Sequence, residues 1–434
     1  MVAQLSGGQP VPMDPTAQGK MTHQRWVICG LLFLATVISY VDRGVIAYLK
    51  TYLESVIPGL NDFKYGIITA AFQAAYAIGM VVAGGLTDKL GTRKAFTIAI
   101  GIWSIAAMLP GAAFSVITFA VAMFLLGIGE SANFPACIKT VAEWFPKRER
   151  ATATGIFNSG ANIGNIVVPL IVPTLVALVT WRGAFVVAGS FGLLWMVLWL
   201  IYYHKPEEHP KVSPAELALI LIDPAEKIKS VPWSHVLPHK ETWAFALGKF
   251  LTDPIWWFYL FWIPGYLQTT FHLNLAQSRT PVVICYAISI IGSVGGGFLS
   301  STLIARGMSA NAARKITMLV CVICIAPIFL TPFVHELWMV VALMGMATAG
   351  HQGWSATLFT LPSDMFPKSA VGSVTGIGGM TGAAGGVLLQ IFAGTIVYLT
   401  HSYVTLFVMA CLAYPLALIC IHLITPKLAP ADMH

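Results

Sequence analysis

Polar residues are scarce along most of this chain and fall at wide intervals. Apolar runs cover residues 26–49, 65–87, 95–112, 115–138, 151–176, 183–203, 242–268, 280–305, 312–333, 336–360, 371–398 and 402–424. Each is close to the roughly twenty residues an α-helix needs to cross a bilayer. The pattern predicts an all-α membrane protein of twelve transmembrane helices. One long polar stretch, 204–241, opens HKPEEHPKVSP and separates two groups of six runs. The expected organisation is a polar N-terminal tail (1–25), a six-helix bundle (26–203), a linker (204–241), a second six-helix bundle (242–424) and a C-terminal tail (425–434). Residues 1–20 lack the apolar region of a signal peptide, so the first run reads as a retained helix.

Composition agrees with this reading. The chain is 57% hydrophobic and 10% charged, where soluble domains carry about a quarter charged residues. The net charge of +7 raises nucleic acid as a partner, but the placement of the charge explains it better. With both termini and the linker on one side, that side gathers most of the lysines and arginines. The other side holds Lys50, Lys64, Arg182 and Arg279. The positive-inside rule makes the first side cytoplasmic. All seven cysteines lie in apolar stretches. Cys321 and Cys324 have redox-motif spacing but no βαβ context, so they read as helix packing residues, and no disulfide framework or zinc site is visible.

The halves share an internal repeat. WFPKRERATATGI at 144–156 matches MFPKSAVGSVTGI at 365–377, with Phe145-Pro146-Lys147 over Phe366-Pro367-Lys368 and Thr154-Gly155-Ile156 over Thr375-Gly376-Ile377. Both triplets keep an offset of 221 residues. A parallel six-helix repeat implies pseudosymmetric bundles about an axis along the membrane normal, with a central site between them.

Charges inside the runs are few: Asp42, Arg43, Glu130, Lys139, Lys249 and Asp253. Such groups are costly in lipid and mark ion or substrate pathways. A carboxyl in a dry cavity can load and unload a proton near working pH, which nominates Asp42 and Glu130 as proton carriers. A buried ion pair is their structural alternative. Arg43 can pair with Asp42 or bind a carboxylate with its planar fork. Neighbours on a helix point about 100° apart, so pairing with Asp42 is awkward. Lys249 and Asp253 are four apart and share a face, either as a local ion pair or as a substrate site. The repeat offset sets His351 opposite Glu130, with Gln352 and Trp354 beside it. Asn158 and Asn162 are one turn apart and offer amide donors and acceptors. Tyr40, Tyr76 and Trp257 supply aromatic faces.

The loop GGLTDKLGTRK, Gly84 to Lys94, resembles the cytoplasmic signature of the major facilitator superfamily, and GGGFLSSTLIARG at 295–307 resembles a decayed second copy in which Ser300 takes the acidic position. SYVDRGVIA, LLGIGESANFPA and AEWFPKRERATATGIFNSG resemble the anion:cation symporters. KFLTDPIWWFYLFWIPGYL and HQGWSATLFTLPSDMFP are most similar to hexuronate permeases.

The resemblance implies the superfamily fold and proton-coupled import of glucuronate or galacturonate by alternating access. It implies coupling at the first- and fourth-helix acids, a second-helix tyrosine near the substrate carboxylate, and a gating latch of Asp88, Arg93 and Arg150. Many relatives carry an arginine seven residues before the fourth-helix glutamate. Met123 stands there, removing a counter-charge that would hold Glu130 ionised and leaving substrate binding to lean on Arg43 and Lys249. The alternatives are galactonate or another aldonate as substrate, or a facilitator without proton coupling. The expectation is a non-enzymatic, monomeric permease of the bacterial inner membrane. Its partners are a small organic anion, protons and lipid, with no cofactor, metal or nucleic acid.

Overall fold

A computed structural model describes residues 21–222 and 231–432, with the side chains of 81, 84, 85, 88, 151 and 368 outside the description. Among the described residues every regular element is helical. We number the long rods α1 Gln24–Val56, α2 Asp62–Leu90, α3 Thr92–Ala112, α4 Val116–Trp144, α5 147–178, α6 181–202, α7 Lys240–Thr270, α8 Arg279–Ala305, α9 Ala310–Phe333, α10 Leu337–Leu358, α11 Lys368–Thr400 and α12 Val404–Ile424. These are the twelve transmembrane helices of two six-helix bundles. Their boundaries follow local chemistry. Asn61 caps α2 by accepting from the Lys64 amide, and Ser115 and Thr118 form a reciprocal capping box on α4. Each supplies a partner to an amide that has none within its helix.

α5 and α6 meet with almost no loop. Val179 and Thr180 leave helical geometry, and Thr180 takes φ 68°. α4 is interrupted after Glu130 by a turn at Ser131 and Ala132 and resumes at Asn133. Eight helical stretches, the joined α5–α6 among them, are long and apolar enough to cross a membrane. α2, α7 and α10 fall outside that set; α7 is rich in Trp, Tyr and Pro, and α10 carries His351 and Gln352. Large apolar side chains such as Ile117, Leu178, Phe298 and Leu423 cover the perimeter, as lipid contact requires.

The repeat is visible in the backbone. Phe145 and Pro146 sit at φ/ψ −125°/136° and −62°/152°. Phe366 and Pro367 sit at −129°/150° and −64°/152°. The same triplet makes the same joint in each half. α2 packs on α11, α8 on the α5–α6 rod, and α1 on α7.

One face of the protein carries the central segment, and we call it the linker face. The halves close on each other at the opposite, far face. Tyr48 donates to the Leu275 carbonyl at 2.6 Å, Gln268 to the Tyr48 carbonyl at 3.1 Å and Tyr65 to the Phe261 carbonyl at 2.9 Å. Lys50, expected at the membrane surface, is instead 1% exposed. Its ammonium pairs with Glu54 at 2.9 Å and Asp62 at 2.6 Å, over the rings of Tyr65 and Trp262. α1 continues to Val56, so the side chain points inward where the sequence suggested a loop.

On the linker face, Glu216 in the short helix Pro214–Ile220 accepts from the amides of Gln24 and Arg25, the Thr22 hydroxyl and the Arg25 guanidinium. It thereby caps α1. Burial pushes the Glu216 carboxyl up, and these four hydrogen bonds outweigh it and hold the group below the ordinary glutamate range. Past the undescribed residues, the Val231 amide donates to the Ser369 carbonyl at 3.1 Å, and the Ser373 hydroxyl donates to the Val231 carbonyl. The central segment is tied to the first bundle at one end and to the second at the other.

Candidate functional site

α1 enters the centre with a turn that carries Ser39, Tyr40, Asp42 and Arg43 around the apolar Val41. Arg43 reaches α4, where its Nη2 lies 2.5 Å from Glu130 Oε2 and 2.9 Å from Ser39 Oγ. Its guanidinium sits 4.4 Å from the Tyr40 ring, 5.3 Å from Phe72, 5.4 Å from Tyr76 and 5.6 Å from Trp257. Four aromatic faces around a desolvated cation add attraction that water would otherwise weaken. Trp257 comes from α7, so the cage needs both halves. Arg43 and Glu130 are buried, at 2% and 0% exposure. Gly127 allows this approach: a Cβ there would lie 2.3 Å from the Phe72 carbonyl oxygen.

Asp42 makes no hydrogen bond with this pair. It is buried, and neither carboxylate oxygen has a hydrogen-bond partner. Arg43 Nε and Glu130 Oε1 are also unpartnered. A buried carboxylate without donors is unstable as an anion. The expected direct alternative, an Asp42–Arg43 pair, is absent, and Glu130 is the partner. Met123 is buried, and the cation that faces Glu130 is Arg43, from a different helix.

The second half holds a self-contained set. Lys249 Nζ pairs with Asp253 Oδ2 at 2.6 Å and lies 4.1 Å from the Phe359 ring. Asp253 presses on α11, where a Cβ on Gly382 would fall 2.5 Å from Asp253 Oδ2. His351 Nδ1 is 2.7 Å from the Tyr414 hydroxyl, and its ring stacks on Trp256 at 4.9 Å and 9°. Both of these contacts of His351 lie within its own half. Trp354 is fully buried and donates to Thr252 Oγ1 at 3.2 Å, a core position away from the cage.

The halves meet at Asn162, whose Oδ1 accepts from Gln352 Nε2 at 3.2 Å and Ser289 Oγ at 3.5 Å. Asn158, one turn nearer the linker face, is exposed. Of the expected latch, the Asp88 side chain lies outside the described residues. Arg93 donates to the Leu200 carbonyl at 2.6 Å, and Arg150 to the carbonyls of Phe145 and Ala142 at 2.9 and 3.0 Å. These contacts cap helix ends inside the first half and do not span the two halves. In the second half Arg314 joins Ser300 at 2.8 Å to Asp364 at 3.0 Å, which shows what the substituted acidic position now binds.

Sequence reasoning missed Ser39, Phe72 and Tyr414 as site residues. Among the described residues no group of three His, Cys, Asp or Glu converges to hold a metal.

Twelve helices around a charged, aromatic-walled centre are the arrangement of a membrane transporter. The Major Facilitator Superfamily model matches residues 32–390. The chain therefore belongs to that superfamily, as its motifs implied. It is 29% identical to a probable galactarate/D-glucarate transporter of Bacillus subtilis, over 89% of each chain. It is 28% identical to a hexuronate transporter of Escherichia coli, over 87% of this chain and 88% of the relative. A bacterial homologue of the human lysosomal transporter Spinster, crystallised inward-facing and occupied, shares the fold with a TM-score of 0.70. It is 17% identical and aligned over 94% of each chain.

Proposed function

We propose that this protein imports a polyhydroxy acid anion, a hexuronate first, together with protons. The observation that carries the reading is the buried Arg43–Glu130 pair, walled by aromatics from both halves and adjoined by an unpartnered Asp42. An incoming carboxylate competes with Glu130 for the Arg43 fork, and protonation of Glu130 removes the competitor. Asp42 is the second proton acceptor. Sugar hydroxyls meet Asn162, Gln352 and the exposed Asn158, while Tyr40, Tyr76 and Trp257 pack against the sugar's C–H faces. Anion and proton move when the halves rock about this centre. With the linker face cytoplasmic, by the positive-inside rule, the closed far face is the outer one and the arrangement is inward-facing. The membrane is then the bacterial inner membrane, with both termini in the cytoplasm.

A second substrate, a six-carbon diacid, is favoured by one specific feature: each half contributes a cation, Arg43 and Lys249. The same relatives' names support both choices. Uptake of radiolabelled glucuronate into proteoliposomes, with and without an inward proton gradient, tests the reading, with D-glucarate and galactonate as competitors. Gradient-dependent accumulation of glucuronate is the expected result. Equilibration without accumulation means a facilitator, and preferential block by D-glucarate assigns the diacid.

A further inference from the structure

Two buried amides in the interface between the halves have no role in the site described above. Gln73 on α2 is 0% exposed, and neither its Nε2 nor its Oε1 has a partner. Asn165 on α5 is 2% exposed, and its Nδ2 and Oδ1 are likewise unpartnered. Buried amides are almost always hydrogen-bonded, so two with no residue partner in one interface is unusual.

Their placement is symmetric. Gln73 faces α11, where a Cβ on Gly386 would lie 3.0 Å from its Nε2. Gly386 stands 221 positions after Asn165, which is the repeat offset. Asn165 faces α8 across a cavity of about 10 Å³ lined by Gly44, Tyr48, Val168, Leu260, Val282 and Tyr286. The glycine-rich motifs repeat at 212 residues between α2 and α8, which puts Gln73 opposite Cys285, next to Tyr286. Each of the two pseudosymmetric helix pairs thus carries one amide at the same level, contributed by α2 in one pair and α5 in the other. The cavity offers Asn165 little: the hydroxyl protons of Tyr48 and Tyr286 are given to the carbonyls of Leu275 and Tyr259. One turn toward the far face from Gln73, Thr69 and Trp262 both donate to Gln390 Oε1 at 3.0 and 2.8 Å, which ties α2 and α7 to α11, while Gln390 Nε2 has no partner.

We infer that Gln73 and Asn165 are a matched pair of gate residues that weaken far-face closure from inside, so that the seal made by the hydrogen bonds beyond them can reopen. Far-face closure buries their amides without a residue partner, and separation of α2 from α11 and of α5 from α8 returns them to water. Each unpartnered group costs the closed state roughly a factor of five or more in population. The proposal rests on alternating access, but on no particular substrate.

The test is the distance between spin labels at Val56 and Ala276, two exposed far-face positions, one in each half. Ketone-bearing residues would carry the labels and leave the seven native cysteines untouched. The full-length protein is measured in nanodiscs without substrate. Gln73→Met and Asn165→Leu keep side-chain volume and remove the amide. Each should raise the short-to-long population ratio about fivefold or more. Gln73→Leu and Asn165→Val serve if either first variant fails to fold. Gly66→Ala should move the ratio the other way, because its Cβ would fall 2.5 Å from the Gln390 carbonyl oxygen and 2.9 Å from Gly394 Cα. Unchanged ratios in the amide variants, or a shift to long distances, overturn the inference. The proton-symport reading fails separately, on uptake by the unmodified protein.

Discussion

The two bundles share a backbone plan and differ in how they treat charge. At the centre of the first, Asp42, Arg43 and Glu130 are buried with four polar atoms unpartnered: both Asp42 oxygens, Arg43 Nε and Glu130 Oε1. At the centre of the second, Lys249 is held by Asp253 one turn away and His351 by Tyr414. The scaffold occurs twice, and the unpartnered charged atoms at the centre lie in one copy. The second copy contributes walls and neutral hydrogen bonds: Trp257 closes the cage around Arg43, and Gln352 meets Asn162. An unsatisfied charged site can change partners, whereas a satisfied one mainly holds shape.

Variants can break this contrast, beginning with the largest effect. Asp42→Asn should lower gradient-driven accumulation by about 100-fold while substrate still binds, a loss of protonation chemistry rather than of geometry. Parallel measurement of uptake and of binding by calorimetry checks it, and normal accumulation would remove Asp42 from coupling. Arg43→Ala leaves Glu130 buried without its cation and should cost about 3–5 kcal/mol of stability, read by thermal unfolding in detergent. Arg43→Lys should recover only part of that, because a point charge does not reproduce the fork or the aromatic stacking.

Smaller effects belong to the second half and to the linker face. Lys249→Met should weaken anion affinity by about tenfold if Lys249 turns toward substrate, a change near 1.4 kcal/mol. An unchanged Kd would confine the residue to its pair with Asp253. Glu216→Gln should cost about 1–2 kcal/mol by weakening the charge-assisted cap on α1. Because Glu216 is held below the ordinary glutamate range, its contribution is complete at neutral pH and is lost as pH falls through the carboxylate range. The stability gap between the parent and Glu216→Gln should therefore shrink on acidification, and thermal melts across that range would show it.

The helical plan was legible because a spanning helix announces itself over about twenty residues of local sequence. The repeated Phe-Pro joint was legible for the same reason: proline and its predecessor fix their own backbone angles. The Arg43–Glu130 pair was not, since its members are 87 positions apart and only the packing of α1 on α4 brings them together. Lys50 was hidden by helix length, because one more turn of α1 converts a surface lysine into a buried one. Gln73 and Asn165 had a visible signal, amides inside apolar runs, but their meaning depends on the facing helices.

The anchoring of the central segment sets a mechanical limit. Glu216 binds the segment to α1, and the Val231 backbone binds it to α11. Between Glu216 and Val231 lie fifteen peptide steps. Fully stretched, these span at most about 54 Å. The segment is therefore a leash of limited reach, and while both anchors hold it caps how far the bundles can part at that face, whatever cargo lies between them.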